Sequence, residues 1–183
     1  KVSHANILRI DTSEAEKMPG VEAVLTHKDV RGTNRIDGLV LYPWNKGDGL
    51  DRPILCDKKI FQYGDAIAIV CADTQEHAKA AADKVVVEVE ELPAYLNARD
   101  AADPEAIEIH PGTPNVFFEQ PIIKGPDQAE IFQNAAMVLE REYYSQRQPH
   151  LVLEPDVGYA YLDEEGRVTI HSKSVALYAH RLM

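Results

Sequence analysis

An α+β fold is what the sequence predicts: a small mixed sheet with helices on one side, followed by the antiparallel strands of a second, β-rich region. Three observations carry this reading. Strand–helix–strand patterns occur twice in the first half, around residues 5–26 and 66–90. Between Pro93 and Pro126 lie six of the eleven prolines, a density that disfavours helix and central strand. Beyond residue 136 apolar and polar residues alternate again, with a glycine-bearing loop between two of the runs.

The composition bounds the class. The chain has 183 residues, 45% of them hydrophobic and 27% charged, as expected of a globular protein. A net charge of −11 argues against nucleic acid as a partner, because phosphate contacts need clustered Lys and Arg. The longest apolar run, Ala66–Ala72, falls far short of the roughly 20 residues needed to cross a bilayer, so no membrane partner is expected. Two cysteines, Cys56 and Cys71, do not make a disulfide scaffold or ligate an iron–sulfur cluster unaided. We therefore expect a reducing compartment, the cytoplasm, with the periplasm as the alternative. Cys71 is expected to be buried within its apolar run.

In the first unit, Ala5–Ile10 reads as a strand already under way, which suggests a piece of something longer. Asp11-Thr12-Ser13 offers helix caps, Ser13 and Glu16 having capping-box spacing, and Pro19-Gly20 stops the short helix. Val21–Thr26 is the next strand. Residues 31–53 are glycine-rich and aperiodic and carry the only tryptophan, Trp44, either packed on its own domain or anchoring an interface. After the Tyr63-Gly64-Asp65 turn, Ala66–Ala72 suits a strand covered on both faces. Asp73 with Glu76 caps a helix over Thr74–Lys84, whose inner face is Ala78, Ala81 and Ala82. Val85, Val87 and Val89 then alternate with Val86, Glu88 and Glu90, a strand buried on one face.

An extended connector follows, in which Val116-Phe117-Phe118 should be buried. We divide the chain into an α/β domain at 1–110, the connector at 111–135 and an incomplete β-rich portion at 136–183. In the last, Met137–Tyr144 reads as a strand. Val157–Leu162 and Arg167–His171 form a hairpin around Asp163–Gly166, with glycine placed for a left-handed turn. Ser174 caps a helical pattern carrying Val175, Tyr178, Ala179 and Leu182 on one face.

No motif announces chemistry by spacing. There is no G-x-G-x-x-G, P-loop, H-E-x-x-H or G-x-S-x-G. Seven histidines are scattered, and His150 with Glu154 offers two candidate ligands where three or four are usual. The acidic runs Glu88–Glu91 and Asp163–Glu165 fit solvated edges. No catalytic residue and no metal ligand is assigned.

Three ordered segments nevertheless resemble one family. Met18-Pro-Gly-Val-Glu-Ala-Val-Leu-Thr-His-Lys-Asp-Val30 resembles the head of the molybdenum hydroxylase large subunit, the family of xanthine dehydrogenases, aldehyde oxidoreductases and carbon monoxide dehydrogenases. Tyr63–Val70, Ala78–Lys84 and Val85–Pro93 are similar to the rest of its α/β hammerhead domain. Glu154–Ala160, Asp163–Gly166 and Val168–Ser172 resemble the first strands of its molybdenum-binding domain. The wording is most similar to the family's bacterial aldehyde oxidoreductases.

The resemblance implies a structural portion of an enzyme that hydroxylates aldehydes to carboxylic acids. It also implies molybdopterin cytosine dinucleotide with molybdenum, two 2Fe–2S clusters outside this chain, a homodimer, and the remainder of the same polypeptide as partner. The family's glutamate base and pterin-approaching glycine segment would lie elsewhere, so these 183 residues alone are expected to be inactive. One family position, a glutamine near the metal, aligns with Ser174, whose hydroxyl is shorter than an amide. Ser174 is thus the single cofactor-site candidate, with a plain helix cap as its alternative. A non-catalytic interaction module with the same α/β fold is the competing functional class.

Overall fold

The computed structural model describes residues 2–35, 52–116, 119–149, 151, 153–155 and 157–173. The expectations for Trp44, Phe117, Phe118, His150 and the helical pattern from Ser174 onward lie outside the described residues. Contacts divide the chain into two units, residues 1–119 and 120–182.

The first unit weaves its two strand–helix–strand patterns together. Strand β1 (Ala5–Asp11) lies between β3 (Lys59–Ile60) and β5 (Val86–Glu91), while β2 (Val21–Thr26) pairs with β4 (Ala68–Ala72). Every described ladder is antiparallel, so the parallel pairs of a mixed sheet are not among them. Pairing thus joins elements about 80 residues apart, Ala5 to Glu91 and Asp11 to Val86, rather than neighbours in sequence. In β5 the valine alternation settles the face: Val87 and Val89 are half-buried, Val86 and the glutamates exposed. Glu88 meets Arg9 at 3.2 Å and Glu90 accepts from Asn6 Nδ2 at 2.8 Å, so part of this acidic run has cross-strand partners.

Helix α1 (Gln75–Ala82) packs on β4. Its cap is Thr74, whose hydroxyl accepts from His77 N–H at 3.2 Å; Asp73, the expected cap, instead accepts from the His77 ring. Thr and Asp are both good caps, and the backbone turns one residue later than the acidic spacing suggested. Ala81 is fully buried and Ala78 half-buried, whereas Ala82 is exposed. Between β1 and β2 a run of turns replaces the expected helix: Glu16 N–H bonds to Thr12 O at 3.0 Å and Thr12 Oγ1 to Glu16 at 2.5 Å. Pro19 leaves too few residues to repeat the turn. Gly20 (φ +77°) then sets the entry to β2.

Core burial is modest among the described residues. Ala5, Ala15, Leu55, Cys56, Ile60 and Ala81 are the buried apolar residues, and Cys56 is the largest fully buried side chain. Neither cysteine is in a disulfide, and Cys71 is exposed, against expectation. Among the described residues its strand is covered by α1 on one face only, so alternate residues of the apolar run are exposed.

Two short helices follow β5: α2 (Ala98–Ala101), capped by Asn97, within the stretch divided off as the α/β domain, and α3 (Gln128–Asn134), capped by Asp127, within the connector at 111–135. Each fits between prolines, and each has an amide or carboxylate ready to accept from its first turn. Val116 is 49% exposed rather than buried. Residues 137–144 form no ladder among the described residues, because an alternating segment becomes a strand only beside a partner. In the second unit, β6 (Gly158–Leu162) and β7 (Val168–Ser172) form the expected hairpin. No helix of the described residues is long and apolar enough to cross a membrane.

Candidate functional site

The hairpin is the described segment nearest in sequence to Ser174. Asp163 holds its turn: the carboxylate accepts from Glu165 N–H at 3.0 Å and Arg167 N–H at 2.8 Å, and the Arg167 guanidinium lies at 2.7 Å. The Arg167 backbone bond, then its side chain, hold the Asp163 carboxyl below its ordinary value. Gly166 (φ +74°) supplies the left-handed residue that the sequence placed there.

Register gives the hairpin two unlike faces. Tyr159 opposes His171 and Tyr161 opposes Thr169, so an aromatic face forms with ring centroids 4.8 Å apart for Tyr159–His171 and 5.7 Å for Tyr161–His171. Ala160 with Ile170 and Leu162 with Val168 make the other face aliphatic. At the open end Lys173 N–H bonds to Val157 O at 3.4 Å, and Lys173 Nζ meets Glu154 at 3.4 Å. Glu154, considered above with His150 as a ligand pair, is thus joined to Lys173. Ser174, one residue further, lies outside the described residues.

The first unit holds a cleft of about 260 Å³ that the sequence did not suggest, lined by Arg52, Cys56, Phe61, Gln62, Asp65 and His110 among others. His110 stacks on Phe61 at 4.6 Å, and Asp65 accepts from Phe61 N–H at 2.8 Å and Gln62 N–H at 3.1 Å. Beside it Lys59, 8% exposed, donates to the carbonyls of Ile109 at 2.7 Å and Glu108 at 3.3 Å. A separation of about 50 residues carries no periodic signal, which is why this grouping was not legible.

The described histidines stay scattered. His4 Nδ1 must donate to the Pro93 carbonyl at 2.5 Å, joining the start of β1 to the end of β5, and its buried Nε2 makes no hydrogen bond. His77 pairs with Asp73 at 2.5 Å, and the His77 bond holds the Asp73 carboxyl below its ordinary value. Among the described residues no three of His, Cys, Asp or Glu come together closely enough to hold a metal ion. These side chains therefore do not make a donor set for molybdenum, and no chemical step is assigned to them.

Comparison with known proteins supplies the context. Residues 1–93 match the family model described as aldehyde oxidase and xanthine dehydrogenase, a/b hammerhead domain, and residues 109–183 match the molybdopterin cofactor-binding domain. The chain is 61% identical over all 183 residues to an aldehyde oxidoreductase of Megalodesulfovibrio gigas, of which it spans 20%. It is 35% identical over 169 residues to the large molybdopterin subunit of nicotinate dehydrogenase from Eubacterium barkeri, spanning 37% of that protein. The crystal structure of the aldehyde oxidoreductase from Desulfovibrio desulfuricans superposes with a TM-score of 0.90 at 63% identity, covering 100% of this chain and 20% of that one. The chain belongs to the aldehyde oxidase and xanthine dehydrogenase family, and carries its hammerhead domain followed by residues of its molybdopterin-binding domain.

Proposed function

We propose that the chain is the structural portion of a molybdenum-cofactor-dependent oxidoreductase that converts aldehydes to carboxylic acids. The observation that carries this is the gap in similarity: 61% identity to an aldehyde oxidoreductase over the whole chain, against 35% to a nicotinate dehydrogenase subunit. The chain spans only a fifth of the first relative, so the activity proposed is that of the whole polypeptide. The same relationship supports molybdopterin in its cytosine dinucleotide form, two 2Fe–2S clusters outside this chain to receive the electrons, and a homodimeric enzyme. We read residues 1–110 as the hammerhead domain, 111–135 as connector and 136–183 as the beginning of the cofactor domain, with Ser174 in the position the family gives to a glutamine near the metal. Two cysteines in 183 residues do not make the disulfide framework of a secreted scaffold, and on that ground we take the cytoplasm as the compartment.

The described residues contribute architecture. Turn and open-end bonds fix the hairpin that precedes Ser174 in the chain, and α1 packs on the β2–β4 sheet. The test is made on the full polypeptide: molybdenum content, then dye reduction with an aldehyde, xanthine or nicotinate as donor. Aldehyde-dependent reduction by a molybdenum-loaded sample supports the reading. A loaded sample that prefers xanthine or nicotinate refutes it.

A further inference from the structure

Among the described residues no element covers one apolar face of the β2–β4 sheet. Residues directly opposed in an antiparallel pair share a face, and here Leu25 opposes Ile69 while Ala23 opposes Cys71. Leu25 is 40% exposed, Ile69 51%, and Cys71 is also exposed. The alternate set, with Val24 opposite Val70 and Thr26 opposite Ala68, is more buried, and α1 lies against this sheet. None of the four outward residues is charged, although the chain carries −11 overall. A continuous apolar strand is the pattern of one covered on both sides.

We infer that Ala23, Leu25, Ile69 and Cys71 form a docking face for another domain of the same polypeptide. One observation chooses this occupant. A relative 61% identical is matched over 20% of its length, so a protein built like it has about four-fifths of its chain elsewhere. The inference rests on the reading above that the chain is part of a larger enzyme.

Cys71 reports on the face directly, because a thiol reacts with a maleimide only when the reagent reaches it. The full polypeptide is treated with N-ethylmaleimide, and the peptide carrying Cys71 is followed by mass spectrometry. Labelling at least about 100-fold slower than in urea, and unchanged on dilution, is the expected result. Labelling as fast as in urea overturns the inference, as does protection that disappears on dilution to monomer, which would make a second copy the occupant. A photo-crosslinking benzoylphenylalanine in place of Ile69 locates the cover: adducts to peptides outside these 183 residues support the inference, and adducts within them overturn it. Molybdenum content and aldehyde turnover are measured on the same sample. An active, loaded enzyme with a freely reactive Cys71 defeats this inference and leaves the proposed function standing.

Discussion

Replacing Lys59 with methionine separates two opposing effects of a buried ammonium. Burial pushes Lys59 below its ordinary value, with the Glu108 carboxylate pulling the other way, so removing the charge relieves a desolvation cost. Against this stand the charge-assisted bonds to the carbonyls of Ile109 and Glu108, one at full strength and one long. Such a bond contributes about 1.5–3 kcal/mol, and the carbonyls would remain behind without it. The bonds should win, leaving K59M less stable locally by about 1–2 kcal/mol. Amide exchange in the full polypeptide reads this without assuming two-state unfolding. Ile109 N–H is held by Asn115, Gly112 N–H by Glu108 and Thr113 N–H by His110 O, so these amides report on the segment that Lys59 ties to β3. Their exchange should accelerate by a factor of about 5–30, the equivalent of 1–2 kcal/mol. K59A should be worse, since it also removes methylenes whose burial contributes about 0.8 kcal/mol each. Unchanged or slower exchange in K59M would show that desolvation outweighs the bonds, and the reasoning would fail.

Gly20→Ala should cost about 1–3 kcal/mol, because φ is +77° and a Cβ there would overlap Asp73 and His77; faster exchange at Asp73 N–H, which bonds to Gly20 O, checks it. Thr74→Ala removes the cap of α1 and should cost about 1 kcal/mol, read as faster exchange at His77. At Asp57 burial raises the carboxyl, but the Arg35 hydrogen bond and charge outweigh it and hold it below 3.8. A folded value below the unfolded one makes this contribution to stability complete above 3.8 and lost as pH falls through the lower folded value. Carboxyl-carbon NMR should show Asp57 titrating below 3.8, and near or above 3.8 in R35M.

The sequence made local periodicity legible and left pairing hidden. Valines 87 and 89 alternating with glutamates assign β5 and its inner face because a strand has period two, and Asp163 to Gly166 carries its turn chemistry in four adjacent residues. Nothing local says that β5 lies beside β1 rather than β4, since that ladder closes a loop of about 80 residues. Lys59 and the carbonyls of residues 108 and 109 are hidden for the same reason. Alternation at Met137–Tyr144 is a capacity that requires a partner strand, and none lies beside it among the described residues.

Cys71 shows why a departure from expectation can carry information. The run Ala66–Ala72 has the composition of a strand enclosed on both faces, and composition describes the environment in the complete protein. The described residues supply a cover for one face only, with Ile69 51% exposed on the other. Sequence and structure are reconciled if the missing cover is contributed from outside the chain, and the 20% span of the 61% identical relative leaves ample polypeptide to provide it. The hairpin makes the same argument at larger scale: Tyr159 is 61% exposed on its aromatic face, and Val168 and Ile170 are each 70% exposed on its aliphatic one. A hairpin of two five-residue strands, aromatic on one face and aliphatic on the other, is marginal in water by itself. It follows that substitutions such as Ile170→Ser should leave the turn bonds of Asp163 intact yet lower the stability of the full polypeptide by about 2 kcal/mol or more, the cost of an unpaired hydroxyl at a buried apolar site. Calorimetry of the intact enzyme measures this, and a variant as stable as the parent would mean that the aliphatic face stays in water.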